Sequence, residues 1–271
     1  MSDFPAVPAV PAAPVVCLHS SGASGRQWRS LVAEAGAAWQ WHTPDLFGHG
    51  SRPAWPSHLP NELTIEADGL LADLPLAAGQ RFHLVGHSYG AAVALQIALQ
   101  QPQRVRSLTL YEPVAFGVLS ASGEDLEASE EARQVAAAVT ASLDRGDLDQ
   151  AARGFVGYWQ GRDVWPELDA AQRDRLAEPM PTIRRHFEAL AAARWTPQQL
   201  APLQMPVQLI CGTATRASAR RVALTLAEQL PNARLAWLEG GQHLAPITQA
   251  ARVNPLILEH LSAVQGKPSG R

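Results

Sequence analysis

Short apolar runs alternate with helical patterns along this chain of 271 residues, and few folds accommodate such an alternation. The runs are predicted strands, and they cover residues 14–19, 38–43, 81–87, 105–111, 206–212 and 233–239. Between the third and fourth runs, residues 90–99 are apolar nearly all round, which is typical of a buried central helix. Strands that alternate with helices form a parallel sheet covered on both faces. We therefore predict an α/β fold with a doubly wound, mostly parallel sheet of about six strands.

One long segment, residues 114–200, interrupts the alternation because it contains helical patterns and no convincing strand. Two apolar stripes lie within it, formed by Leu148, Ala152, Phe155, Val156 and Trp159 and by Ile183, Phe187, Leu190 and Ala191. An all-helical insertion between two strands of a parallel sheet is typical of a lid, or cap. We expect residues 1–113 and 201–271 to form the core, and residues 114–200 to cover the carboxyl ends of the strands, where such sheets bind ligands.

Composition excludes several classes of protein. Lysine and arginine total 22 against 25 acidic residues, and this balance argues against nucleic-acid binding, which needs a basic face. No apolar run approaches the roughly 18 residues of a membrane span.

Prolines at positions 5, 8, 11 and 14 interrupt the apolar core that a signal peptide needs and favour an extended arm, so we expect a cytoplasmic protein. Cys17 and Cys211 lie in apolar runs and are predicted to be buried free thiols.

The sequence G-H-S-Y-G at residues 86–90 lies between a predicted strand and the buried helix. A strand, a tight turn and a helix are the setting in which G-x-S-x-G forms a nucleophile elbow, whereas the motif alone also fits an ordinary loop serine. Gly86 and Gly90 permit the sharp turn, so we expect Ser88 to be exposed at the carboxyl end of the strand. The start of the following helix offers N–H groups to developing negative charge.

A base and an oxyanion site are predicted from their positions in the chain. Among nine histidines, His243 follows the last predicted strand in G-G-Q-H, as the order serine, acid, histidine requires. The loop after the first strand contains Ser20 and Ser21, and we expect the backbone N–H of Ser21 to join that of Tyr89 in binding an oxyanion. Ser20 and, from the lid, Trp159 are further candidates for contact with substrate.

Other side chains near these motifs are predicted to be structural. His87 is expected to point to the opposite side of its strand from Ser88, and His19 to support the loop that follows the first strand. For the lid aromatics two interpretations stay open, an apolar substrate pocket and the core of the lid itself. No pair of histidines has the spacing of metal ligands, so no metal site is predicted.

The chain resembles the α/β-hydrolase family, in its capped branch, over nearly its whole length. The motifs that carry the resemblance are L-H-S-S-G at 18–22, P-D-L-F-G-H-G at 44–50, G-H-S-Y-G at 86–90, L-Y-E-P at 110–113 and G-G-Q-H at 240–243. The resemblance implies a Ser/His/acid triad and no cofactor. The family's N-terminal hairpin is expected to be reduced or missing, because only about 14 proline-rich residues precede the first strand. A serine nucleophile excludes the dehalogenases and epoxide hydrolases of this fold, which attack with an aspartate.

The acid of the triad is absent from the position that the resemblance implies. The family's usual acid follows the penultimate strand in G-x-x-D, but residues 212–215 are G-T-A-T and no carboxylate occurs from 206 through 227. Glu112 is the best substitute because it follows the fourth predicted strand and preserves the order Ser88, Glu112, His243. We predict a Glu112 oxygen at the His243 ring nitrogen that faces away from Ser88. The alternative is a supporting Glu112, with the loop threonine or a water at that nitrogen.

Together these residues predict a serine hydrolase that acts on a small ester, thioester or lactone through an acyl-enzyme. An alternative is hydrolysis of a carbon–carbon bond in a diketone by the same triad, although Leu244 stands where such hydrolases often have tryptophan. A third hypothesis is a non-catalytic ligand-binding or sensor protein, which only the absent aspartate supports. The expected partner is a small-molecule substrate, and the sequence predicts no oligomeric state.

Overall fold

The computed structural model describes residues 13–120 and 123–265, so the predicted proline-rich arm lies almost wholly outside the described residues. Its six strands are β1 (Val15–Leu18), β2 (Trp41–His42), β3 (Phe82–His87), β4 (Val105–Tyr111), β5 (Val207–Gly212) and β6 (Ala233–Leu238). They form one sheet in the order β2-β1-β3-β4-β5-β6, and every pairing is parallel. This arrangement confirms the predicted α/β fold class. Among the described residues, no antiparallel strand precedes β1.

Helices cover both faces of the sheet. They are α1 (Arg29–Ala35), α2 (Leu63–Asp73), α3 (Tyr89–Gln100), α4 (Gly123–Asp144), α5 (Leu148–Gln160), α6 (Ala170–Ala177), α7 (Met180–Ala192), α8 (Pro197–Leu200), α9 (Ala217–Gln229), α10 (Ala245–Thr248) and α11 (Ala250–Gln265). Val15 and Cys17 of β1 pack with α1 and α11, whereas Val16 and Leu18 pack with α2, α3 and α9. Because successive side chains of a strand point to opposite faces, a strand buried on both faces is apolar throughout.

The register of the sheet determines where its polar strand ends meet. His87 at the end of β3 pairs with Tyr111 at the end of β4, and Tyr111 pairs with Ile210 of β5. Ser88 and Glu112 each follow the last residue of a strand, and their backbone N–H groups still donate to the carbonyls of Tyr111 and Ile210. The two residues therefore lie side by side at the carboxyl edge of the sheet.

The segment between β4 and β5 contributes the five helices α4–α8 and, among its described residues, no strand. It has a small apolar core of its own, formed by Val139, Ala151, Ala152, Trp165, Met180 and Ile183. Polar contacts attach it to α9, because the Tyr158 hydroxyl lies 2.5 Å from Ser218 Oγ and the Ser218 N–H donates to Glu131. An ion pair between Arg221 and Asp125 joins α9 to α4. The segment is thus a helical layer fixed to the core.

Two sequence-based expectations about individual segments have clear structural outcomes. Cys17 and Cys211 are buried and free, as predicted. Across residues 13–120 and 123–265, none of the helices combines the length and the apolar character that a membrane crossing requires.

Glycine allows α3 to approach the sheet closely behind the G-H-S-Y-G turn. A Cβ atom on Gly90 would lie 2.4 Å from the carbonyl oxygen of His19 and 2.5 Å from that of Leu18. A Cβ atom on Gly86 would lie 2.5 Å from the Ala91 Cα. Since the neighbouring atoms belong to the backbone, a side chain at either position requires the helix or the strand to move.

We expect Gly90→Ala to lower the free energy of unfolding by about 1–3 kcal/mol, because the added methyl group overlaps the backbone of β1. Urea-induced unfolding measures the change. The matched control is Gly154→Ala in α5, where a Cβ atom meets nothing within 4 Å. In that exposed helix position alanine is expected to stabilise the protein by up to about 1 kcal/mol. Equal stability of Gly90→Ala and the parent protein would contradict the close approach.

Candidate active site

Ser88 occupies a strained turn between β3 and α3. Its backbone has φ 56° and ψ −118°, outside the regions that non-glycine residues favour. Residues held in such conformations cluster at active sites, where the surrounding structure holds them in place. The expectation of an exposed serine is wrong, because Ser88 is only 5% exposed. The helical segment covers it, and this burial depends on contacts that are remote in sequence.

A hydrogen-bonded chain joins Ser88 to the base and to a carboxylate. Ser88 Oγ lies 2.9 Å from His243 Nε2, and His243 Nδ1 lies 2.8 Å from Glu112 Oε2. In the tautomer that this arrangement requires, Nδ1 donates to Glu112 and Nε2 accepts from the serine hydroxyl. The nitrogen that faces away from Ser88 therefore meets a Glu112 oxygen.

Glu112 is fully buried, and each of its oxygens has a donor. The Gly212 N–H donates to Oε1 at 2.9 Å, and the Thr215 hydroxyl donates to Oε2 at 2.6 Å. Thr215 stands at the aspartate position of G-x-x-D, and here it binds the carboxylate rather than the histidine. Glu112 has φ 41°, and it shares a positive φ with only Ser88 among the described non-glycine residues. The strained backbone directs the carboxylate towards His243 across the end of β5.

Two side chains at the strand ends fix the loop that carries His243. The His87 ring donates from Nε2 to the His243 carbonyl at 2.8 Å, and the Tyr111 hydroxyl donates to the Gln242 carbonyl at 2.8 Å. His87 packs edge-on against Tyr111, with ring centroids 5.5 Å apart. Its structural contribution is thus to hold the backbone of the base.

The loop after β1 presents one backbone N–H to the site. The Ser20 N–H donates to Gln27 and the Gly22 N–H donates to His49, whereas the Ser21 N–H has no protein acceptor among the described residues. Tyr89 is the first residue of α3, so its N–H lacks a partner within the helix. Ser21 lines the same cavity as Ser88, and Tyr89 follows Ser88 directly in the chain, so these are the two amides that the sequence predicts for an oxyanion site.

The helical segment between β4 and β5 contacts this loop through His186 of α7. The Ser21 hydroxyl lies 2.8 Å from His186 Nδ1, and the His186 ring stacks on Tyr89 with centroids 3.7 Å apart and planes 5° apart. The His49 ring stacks on His186 at 5.1 Å. The sequence contained one signal for this contact, since His186 follows Ile183 by three residues and so belongs to the inward stripe of α7.

The imidazoles around the site are neutral at pH 7. Burial lowers the pKa of His19 to about 3 and holds the pKa values of His87 and His186 well below the ordinary value. His19 accepts from the Leu46 N–H through Nε2, which agrees with its predicted role as a support for the loop. None of these rings therefore places a positive charge beside His243.

A narrow cavity of about 20 Å³ borders Ser88 and is lined mostly by apolar side chains. Its lining consists of Ser21, Ser88, Val114, Phe116, Phe155, Trp159, Ile183, His186, Phe187 and Leu190. A larger groove of about 320 Å³ shares Phe116, Phe187 and Leu190 with this cavity. The space next to Ser88 is thus shaped for an apolar group.

The two tentative substrate-contact residues differ in position. Trp159 lines the cavity and its ring stacks on His243. Ser20 is absent from the lining, because its hydroxyl donates to Gln27 Oε1 at 3.1 Å and faces the loop interior. Trp165, in contrast, belongs to the small apolar core of the helical segment and donates to Asp149. The pocket interpretation thus fits Trp159, and the packing interpretation fits Trp165.

Within residues 13–120 and 123–265, no three His, Cys, Asp or Glu side chains are grouped to hold a metal ion.

Comparisons with known proteins agree on one family. The model of the alpha/beta hydrolase family matches residues 15–256. The pimeloyl-(acyl-carrier protein) methyl ester esterase of Aromatoleum aromaticum is 32% identical over 238 residues, which cover 84% of this chain and 90% of the relative. The protein of the same name from Aeromonas hydrophila is 26% identical over 254 residues, with 91% and 94% coverage. A solved esterase from Thermogutta terrifontis superposes with a TM-score of 0.73 at 22% identity, covering 94% of this chain and 91% of its own.

Proposed function

Because the chain belongs to the alpha/beta hydrolase family, we propose that it is a cofactor-free serine hydrolase that cleaves a small carboxylic ester through an acyl-enzyme. One observation carries the proposal, namely the hydrogen-bonded chain from Ser88 through His243 to Glu112, with distances of 2.9 and 2.8 Å. A nucleophile, a base and an orienting carboxylate in this geometry perform acyl transfer on many unrelated folds.

In the first half of the reaction, Ser88 Oγ attacks the ester carbonyl carbon while His243 Nε2 takes the hydroxyl proton. The buried Glu112 carboxylate stabilises the imidazolium, and the N–H groups of Ser21 and Tyr89 bind the oxyanion. The carbon–oxygen bond to the alcohol then breaks, and His243 returns its proton to the departing oxygen. An acyl group remains on Ser88.

In the second half, water attacks the acyl carbon while His243 again accepts a proton. Collapse of this second tetrahedral intermediate breaks the bond to Ser88 Oγ, which regains its proton from His243. The products are a carboxylic acid and an alcohol, so atoms and charges balance without a cofactor.

The names of the two relatives reported above, which describe methyl ester esterases, favour the ester class over the thioester and lactone. The mostly apolar lining next to Ser88 suits the acyl side of such a substrate, and the adjoining groove of about 320 Å³ offers the room that an acyl chain needs. We assign residues 114–200 to a lid over a core of residues 1–113 and 201–271. Side chains of α5 and α7 line the cavity beside Ser88, which supports this division.

Two measurements test the proposal. A fluorophosphonate probe is expected to label the purified protein, with peptide mapping placing the adduct on Ser88. A panel of p-nitrophenyl and methyl esters of graded chain length, a thioester, a lactone and a diketone then identifies the bond. Turnover of esters with a chain-length optimum is expected. Absence of labelling favours a binding or sensor protein, and turnover of the diketone alone overturns the ester assignment.

A further inference from the structure

An aromatic ring of the lid lies flat on the base. Trp159 of α5 stacks on His243 with ring centroids 3.7 Å apart and planes 19° apart. Trp159 is 8% exposed and His243 is 2% exposed, so the contact is shielded from water. Both edge nitrogens of His243 are already engaged, by Glu112 and Ser88. The ring face is therefore where a lid residue can act on the base without competing for its proton.

We infer that Trp159 is a positioning residue for His243, and that its indole face stabilises the imidazolium formed in each half of the reaction. The inference rests on the proposed function and goes beyond it, because it gives the lid a part in proton transfer. The face of an indole attracts a cation, and it does so more strongly where the pair is desolvated. A neutral imidazole gains less, so the stacked ring favours the protonated state that His243 enters during attack.

The core of the protein holds this indole in place. Trp159 packs edge-on against Tyr158 with ring centroids 4.7 Å apart. The Tyr158 hydroxyl lies 2.5 Å from Ser218 Oγ, and the guanidinium of Arg216 lies 4.5 Å from the centre of the Tyr158 ring. Because Ser218 and Arg216 lie at the start of α9, the core itself sets the position of the stacking ring.

Few other groups near His243 can affect its protonation. Glu112 is the carboxylate that faces it, and Ser88 is neutral. The His87 ring lies 5.2 Å from His243, but burial keeps its pKa well below the ordinary value and the ring uncharged. Burial also raises the pKa of Tyr111, whose hydroxyl donates to the neighbouring Gln242 carbonyl. Because the charges of these neighbouring groups stay the same, an effect of replacing Trp159 on the protonation of His243 can be assigned to the indole.

The test compares Trp159→Phe, Trp159→Leu and the control Phe155→Leu, which removes an aromatic ring from the same helix and cavity but leaves the stack intact. The readout is the acid limb of the pH profile of kcat/KM. Loss of the indole disfavours the imidazolium, so the midpoint for Trp159→Leu is expected to move to lower pH by about half to one unit. On the plateau, kcat is expected to fall about three- to tenfold.

The direction of the shift separates this role from simple packing. If Trp159 only excludes water, its removal hydrates the imidazolium and moves the midpoint to higher pH. Trp159→Phe is expected to give a smaller shift to lower pH than Trp159→Leu, since phenyl binds a cation less well than indole. Phe155→Leu is expected to change KM and leave the midpoint in place. A shift to higher pH in Trp159→Leu, or no shift, overturns the inference.

A second readout does not depend on catalysis. An imidazolium in contact with an excited indole quenches its fluorescence, so the emission of the parent protein minus that of Trp159→Phe is expected to decrease as the pH falls. The same titration is expected in the Ser88→Ala background, which keeps the stack. A pH-independent difference overturns the inference, whereas a titrating difference in a protein without ester hydrolysis leaves the stack in place and rejects the proposed function.

Discussion

Ser88→Ala is expected to lower kcat for every ester substrate by about ten-thousandfold or more, because no acyl-enzyme forms without the serine oxygen. In the proposed mechanism, the remaining acceleration comes from the N–H groups of Ser21 and Tyr89 and from substrate binding. Pre-steady-state and steady-state assays with the best ester of the panel measure the loss. Residual activity on the order of a tenth of the parent value contradicts Ser88 as the nucleophile.

Stability measurements show whether the loss has a chemical cause. Alanine keeps the Cβ atom and so retains the strain at φ 56°, whereas glycine adopts this φ freely. Ser88→Gly is therefore expected to be more stable than Ser88→Ala by about 1 kcal/mol, while both are inactive. If Ser88→Gly is inactive although it is more stable than Ser88→Ala, instability of the alanine variant cannot explain the loss of activity. Urea-induced unfolding of the two variants gives the comparison.

The strands and the central helix were predictable from sequence because their signals are local. The run 105–111 matches β4 at both ends, and the buried helix expected over 90–99 begins only one residue earlier, at Tyr89. The spacing of apolar residues and the overall apolar character of a segment indicate a strand or a helix within about ten residues. The parallel orientation of the strands was predictable because helical patterns alternate with the apolar runs.

The geometry of the site required contacts that no local pattern encodes. The positive φ of Ser88 accompanies the nucleophile elbow that G-H-S-Y-G predicts, whereas the positive φ of Glu112 has no sequence signal. The contact between Ser21 and His186 joins positions 165 residues apart. The stack of Trp159 on His243 depends on how the helices between β4 and β5 pack on the sheet. Glu112 was predictable from the absence of a carboxylate after β5 and from its own place after the fourth predicted strand, but the roles of Thr215 and Gly212 as its donors were missed.

Glu112→Gln is expected to reduce kcat about a thousandfold or more and to change substrate binding little. In the parent protein, Glu112 Oε2 accepts from both His243 Nδ1 and the Thr215 hydroxyl. A glutamine amide nitrogen at this position donates, so the His243 ring changes tautomer and presents an N–H to Ser88. Nε2 then cannot accept the serine proton, and the imidazolium loses its counter-charge. Steady-state kinetics at the pH optimum measure the loss.

Glu66→Gln provides a matched control, because Glu66 is also fully buried and accepts a backbone N–H, from Phe47. Burial raises its pKa to about 7, and its partners include Arg52 and the side chain of Tyr89 but not His243, so its replacement is expected to change stability and to lower kcat far less than Glu112→Gln does. A parallel loss of kcat in both glutamine variants would indicate general damage from an altered buried carboxylate. A kcat for Glu112→Gln above about a tenth of the parent value would reduce the site to a Ser88–His243 dyad.

The double variant Glu112→Gln/Thr215→Asp tests whether the acid can return to the position of the G-x-x-D pattern. Thr215 Oγ1 lies 2.6 Å from the Glu112 oxygen that in turn lies 2.8 Å from His243 Nδ1, so a short carboxylate at 215 starts close to the imidazole. The glutamine can donate to that carboxylate and still accept the Gly212 N–H through its oxygen. We expect kcat at least about tenfold above that of Glu112→Gln, because the charge and the tautomer of His243 are restored. A double variant no faster than Glu112→Gln would show that the carboxylate must project from the strained end of β4 to act on His243.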